Sequence, residues 1–214
     1  RLFCLWGALS LVVVHGPISA VQRAGILFIE TMGAYLVARC YIRDADDFFY
    51  MARMLFRLVA ILFPFVLVEA LTGRNVLLEF FAAILPSYPD AGNDMRAGLR
   101  RVQVVFEHPI LFGICASSAF ALTHMVLGYR VPPLQRWLKS GLVGATALLS
   151  LSSAPIAAIV VQTALMMWSA VFGKSQYCWK ILWGLFIAAY LAILFGSNQI
   201  PVQFYISKFT FDPH

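Results

Sequence analysis

Arg96, Arg100, Arg101 and His108 stand close together in the one long polar stretch of an otherwise apolar chain, with Arg74 upstream. A guanidinium is always charged and presents a planar fork of N–H donors that matches phosphate oxygens. An imidazole can accept or donate a proton near neutral pH, and Glu107 beside His108 could tune it. Such a set suits an anionic ligand, which beside a membrane means a lipid headgroup or a lipid-linked pyrophosphate. Plainer roles fit the same residues. The arginines could snorkel to headgroups or pair with Asp90, Asp94 and Glu107. His108 could cap a helix whose first turn holds Pro109.

The elements that must position these groups are read from hydropathy. Of 214 residues, 61% are hydrophobic and 12% charged, about half the charged share of a soluble domain. The apolar residues form continuous runs, not the alternating segments of a membrane barrel. The sequence therefore predicts an all-α, polytopic transmembrane bundle with about seven spans. These are 2–14, 21–38, 54–71, 109–128, two within 137–172, and 181–196. A single helix over 137–172 would be about 54 Å long, too long for a hydrocarbon core of roughly 30 Å. The break is expected at Ser150-Leu151-Ser152-Ser153-Ala154-Pro155, because proline disfavours helix at the preceding residue and serines can satisfy freed backbone groups.

The net charge of +6 is read as orientation and not as affinity for nucleic acid. With seven spans, Arg1, Arg39, Arg43, Arg53, Arg57, Arg130, Arg136, Lys139, Lys174 and Lys180 fall on one side. Arg23, Arg74, Arg96, Arg100, Arg101 and Lys208 fall on the other. The richer side is cytoplasmic, so residues 72–108 form one long extracytoplasmic loop. Within it, 76–85 is apolar except for Glu79 and too short to span, which suggests a segment that lies along the membrane surface or dips into it. Residues 86–94 read as a turn-rich connector. Both chain ends look cut, so residues 1–214 are read as a single transmembrane domain from a longer protein.

Other polar residues carry less. Glu30 lies mid-span, where an ionisable side chain marks an intramembrane polar site or a neutral group bonded to a neighbouring helix. Glu69, near the outer end of its span, is expected to reach the interface. His124 reads as a packing residue, and Asp44, Asp46 and Asp47 as a solvated turn and helix start. Cys4, Cys40, Cys115 and Cys178 have no metal-ligand spacing and read as packing thiols. No nucleotide-binding or metal-binding motif is present, so no cofactor and no metal is expected.

The run Arg101-Val102-Gln103-Val104-Val105-Phe106-Glu107-His108-Pro109-Ile110-Leu111-Phe112-Gly113 resembles the signature of the O-antigen ligase and polymerase superfamily, especially its exopolysaccharide-polymerisation members. There an arginine precedes a Phe-x-His/Asn-Pro element entering a membrane helix. Three further pieces agree in order: residues 30–39, the serine-rich break at 150–155, and Phe209-Thr210-Phe211-Asp212-Pro213-His214, which resembles the opening of that family's large outer loop. Two departures stand out. Members carry glycine where Val104 stands, which leaves the loop geometry open, and the serine break lacks the arginine that follows it in ligases.

The resemblance implies metal-independent glycosyl transfer at the outer face of a bacterial inner membrane, in O-antigen or exopolysaccharide biosynthesis. The donor would be a polyprenyl-pyrophosphate-linked saccharide and the acceptor a saccharide or a lipid-linked one. Arg101 would contact the pyrophosphate, with Arg100 and Arg96 as weaker partners and His108 nearby, while the catalytic base would lie beyond His214. The alternatives are a transporter or flippase of lipid-linked saccharides, for which only Glu30 offers a polar pathway, and a non-catalytic membrane scaffold.

Overall fold

The computed structural model of the chain describes residues 2–85, 95, 96 and 99–196, and only the backbone at 2, 3, 15, 17–19, 95, 96, 99, 193, 195 and 196. The 86–94 connector, Lys208 and the motif at 209–214 lie outside the described residues. The chain divides into two compact units, Arg1–Met51 and Ala52–His214.

In the first unit, α1 (Leu2–His15) and α2 (Pro17–Tyr41) pack together. Their link turns at Gly16, whose φ of 78° is a left-handed value glycine adopts freely, and Pro17 then starts α2 in the first-turn position that needs no N–H donor. The unit closes with the first residues of α3 (Ala45–Thr72). Asp47 N–H donates to Asp44 Oδ1 at 2.8 Å, and Asp46 and Asp47 occupy the first turn of α3. The expected solvated turn and acidic helix start are both present.

The second unit contains the rest of α3, the short α4 (Val76–Ala82), a two-residue antiparallel ladder of β1 (Met95–Arg96) and β2 (Leu99–Arg100), and α5 (Pro109–Leu122) running into a π-turn at Thr123–Leu127. Then follow α6 (Pro133–Leu148), α7 (Ser153–Phe172) and α8 (Cys178–Gly196). Among the described residues, three helices are long and apolar enough to cross a bilayer: α3, α5 with its π-turn, and α7. α1 and α8 contain shorter apolar runs, Cys4–Val14 and Cys178–Ala192. α2 carries Arg23, Glu30 and Arg39, and α6 carries Arg136 and Lys139. The fold is all-α apart from the small ladder, with three such spans where the sequence suggested about seven.

α5 is the central helix. Half of its span is buried, against 17% for α3 and 6% for α7. One core cluster joins Val59 of α3 to Ala116, Ala119 and Phe120 of α5 and Val143 and Ala147 of α6. A second joins Val66 of α3, Phe112 of α5 and Val102 and Val104 of the connecting segment. The Gln162 side chain of α7 stitches α5 from the other side, accepting from Ala121 N–H and donating to the Ser117 carbonyl, both at 3.0 Å. Small residues let the backbones approach, as between helices in lipid.

The predicted break forms as expected. α6 ends at Leu148, Leu151 takes a φ of 46°, and α7 starts at Ser153. Ser150 Oγ donates to the Ala147 carbonyl at 2.7 Å and Ser152 Oγ to the Ser150 carbonyl at 3.1 Å, so serine hydroxyls satisfy the carbonyls the break frees. Gly113 of α5 faces this break. A Cβ there would overlap Ser150 Oγ and the Pro155 ring. Gly113→Ala is therefore expected to destabilise the fold by about 1–3 kcal/mol, measured by denaturation in detergent. Gly141→Ala, where nothing lies within 4 Å, should be neutral or slightly stabilising. Equal stability of the two variants would contradict the close approach.

Candidate functional site

The arginine segment enters the fold as irregular backbone, and irregular backbone at a membrane boundary persists only where its N–H and C=O groups find partners. Residues 101–104 are all buried. Glu69, on the last turns of α3, supplies the main fastening. Its carboxylate oxygens accept from Gln103 N–H at 2.9 Å and Val104 N–H at 3.1 Å. Asn75 completes the hold, donating from Nδ2 to the Val104 carbonyl at 2.6 Å while its Oδ1 accepts from Leu78 N–H and caps α4. Val102 N–H reaches the Leu149 carbonyl at 3.4 Å, tying the segment to the end of α6.

This geometry corrects the expectation for Glu69. It does not reach the interface, because at 3% exposure it is enclosed by the segment whose backbone it binds. The reason is chemical: a carboxylate is one of few groups that can accept from two successive amides at once.

Val104 is clamped at both its polar backbone groups and stands at φ 55°. A β-branched residue in the left-handed region is an outlier costing of order 1–3 kcal/mol. Its side chain is fully buried in the cluster with Val66, Val102 and Phe112. The loop thus takes at Val104 a backbone conformation that a glycine would adopt freely.

Arg101 is buried, at 6% exposure, and donates from Nη2 to Ser152 Oγ at 2.9 Å. The arginine that the resemblance singles out is thereby joined to the serine break, two features far apart in sequence. Arg100 is half-buried and crosses the C-terminal end of α3: a Cβ on Gly73 would come within 2.7 Å of Arg100 Nη1. Gly73 itself ends α3 at φ 70°, donating its N–H to the Glu69 carbonyl at 2.9 Å. A cation over a helix C-terminus meets the negative end of the helix dipole. Arg96 belongs to β1, and its side chain lies outside the described residues.

Arg74 is spent locally. It forms an ion pair with Glu79 of α4 at 2.8 Å, both side chains largely exposed, and that hydrogen bond followed by the carboxylate's charge raises the Arg74 guanidinium above its usual value. His108 is exposed and acts as the N-cap of α5, its Nδ1 accepting from Ile110 N–H at 3.3 Å, with Pro109 in the first turn. Phe106 packs on Phe112 with ring centroids 5.8 Å apart, holding His108 at the mouth of the helix.

Glu30 lies in the first unit, exposed on α2 beside exposed Phe28 and Ile29. His124 packs as expected, buried in the π-turn against Trp137 at 4.7 Å and bonded to Ser140 Oγ at 3.1 Å. No group of three or more metal-ligating side chains occurs among the described residues. The structure thus brings Arg100 and Arg101 together with Glu69, Asn75, Gly73 and Ser152. The sequence reading had singled out only some of these. Asn75, an N-cap type immediately before a helical run, carried a readable signal. The role of Glu69 in backbone capture carried none.

No protein-family model, curated protein or solved structure matches the chain. The resemblance to O-antigen ligases and polymerases therefore rests on the quoted motifs.

The clamp predicts a stability hierarchy. Removing the Glu69 carboxylate leaves two buried amides without acceptors, so Glu69→Ala should destabilise by about 2–5 kcal/mol. Asn75→Ala should cost about 1–3 kcal/mol. The double variant should lose less than the sum, because both side chains hold Val104. Losses below about 0.5 kcal/mol in equilibrium unfolding, the range of ordinary surface changes, would rule the clamp out.

Proposed function

We propose that this chain is the membrane part of a glycosyl-transfer protein of the polymerase or ligase type. In this reading it crosses a bacterial inner membrane about seven times, with α1, α2, α6 and α8 as further spans. The arginine segment faces the outer aqueous side. There it meets a polyprenyl-pyrophosphate-linked saccharide whose sugar passes to the hydroxyl of a saccharide or lipid-linked acceptor.

The observation that carries the proposal is the fastening of Arg100 and Arg101. Leaving-group charge grows on the diphosphate as the glycosidic bond breaks, and cations already held in place stabilise that charge without reorganising. Arg101, anchored by one nitrogen to Ser152, supplies a fixed positive charge beneath the site. Arg100, half-buried over Gly73, is the more accessible of the two. Neither a metal nor a nucleotide is needed, because the pyrophosphate is already an activated leaving group. The acceptor hydroxyl still needs a base. His108 is not assigned that role, since its Nδ1 caps α5.

Two measurements test the proposal. Glu107→Cys, at an exposed position beside the segment, should react with a membrane-impermeant maleimide added outside the cell, whereas Gln135→Cys in α6 should not. In the full-length protein, Arg100→Gln and Arg101→Lys should each lower polymer or ligated product roughly 10²-fold at unchanged membrane level. Labelling with the opposite sidedness, or full activity in Arg101→Ala, would overturn the assignment.

A further inference from the structure

We infer that the groove at the turn between α2 and α3 binds the headgroup of an anionic glycerophospholipid. This site lies wholly in the first unit and needs no glycosyl transfer, though its placement at a membrane surface rests on the span arrangement of the proposed function. The groove has a volume of about 590 Å³ and is lined by Tyr35, Ala38, Arg39, Ile42, Arg43 and Phe48.

The two arginines are placed by local structure. Arg39 stands in the last turn of α2, one turn beyond Tyr35 on the same helix face. Arg43 follows the helix end. Its Nε donates to the Cys40 carbonyl at 3.0 Å, which fixes the guanidinium while that bond uses neither terminal nitrogen. The bond also answers the partial negative charge of the α2 C-terminus, which would otherwise repel an anion. Three carboxylates stand in the turn, Asp44, Asp46 and Asp47; Asp47 Oδ2 accepts from Arg43 N–H at 3.1 Å and Asp44 Oδ1 from Asp47 N–H at 2.8 Å, and none of the three lines the groove. Arg39 is exposed, with no hydrogen bond or ion pair among the described residues.

The remaining walls argue for a lipid over a free phosphate. Tyr35 is 54% and Phe48 38% exposed at the charged end of α2, with Ala38 and Ile42 between them. Aromatic rings in that position match the headgroup and glycerol level of a bilayer. A headgroup phosphate would meet both guanidinium groups while its glycerol and ester region lies against the rings. In the proposed span arrangement this end of α2 lies at the cytoplasmic leaflet, where anionic lipids attract basic segments.

The test is native mass spectrometry of the purified chain after incubation with mixed micelles of phosphatidylglycerol and phosphatidylcholine. Wild type should retain phosphatidylglycerol selectively. R39Q/R43Q should lower its apparent affinity roughly 30-fold, about a factor of five for each guanidinium removed. R39K/R43K should stay within a few-fold of wild type, and K174Q/K180Q, which removes two cations outside the groove, should be unchanged. Wild-type retention in R39Q/R43Q, equal retention of phosphatidylcholine by wild type, or a loss in R39K/R43K as large as in R39Q/R43Q would overturn the site. Displacement of the lipid by excess inorganic phosphate would also overturn it, by showing that the groove takes the free anion.

Discussion

The buried carboxylate of Glu69, accepting from two successive backbone amides, is the contact on which the second unit's polar end depends. Residues 101–107 belong to neither helix nor sheet. Residues 101–104 are buried and have no ladder of their own, so partners within the protein must satisfy their backbone groups. Glu69 accepts from the buried amides of Gln103 and Val104, and Asn75 donates to the Val104 carbonyl. Val104 is held from both sides at a left-handed φ of 55°, a strain its surroundings sustain through these bonds and its buried side chain.

From that fixed point the other placements follow. Val102 and Val104 insert their side chains beside Val66 and Phe112, so the segment is packed as core. Its N-terminal side carries Arg101 down to Ser152 at the break between α6 and α7. Its C-terminal side delivers His108 to the start of α5 as a cap. The same break is pressed against Gly113 of α5. Glu69, the serine break and the head of α5 therefore form one interlocked junction, in which moving any member strains the rest.

Much of this junction was legible in the sequence, though unevenly. The break at 150–155 followed from length, proline and serine chemistry, and the serines do bond the carbonyls they were expected to serve. The cap at His108 followed from the proline after it. Within the apolar stretch at 76–85, residues 76–82 form the short helix α4, too short to span as its length implied. Glu69 escaped because a glutamate near the end of a span looks the same whether it points to water or to backbone. Only the return of residues 103 and 104 beside it decides which, and that is a long-range contact. The span count was less legible: among the described residues α3, α5 with its π-turn and α7 have the length and hydropathy of a span, whereas α2 carries Arg23, Glu30 and Arg39 and α6 carries Arg136 and Lys139 near its start.

The fastening also bears on what the arginines can do. A guanidinium on a free surface loop loses rotamer freedom when it meets an anion, and that loss offsets much of the attraction. Arg101 has already lost that freedom in folding, since its stem is buried and one nitrogen is bound to Ser152. Arg100 lies against a glycine that leaves room for it. Charges fixed this way act on a ligand with little further ordering, and they act more strongly where neighbouring protein excludes water. Simple attraction to lipid headgroups would require none of this. Arg74, by comparison, is exposed and forms its ion pair with Glu79 at the surface, where solvent screens the charge.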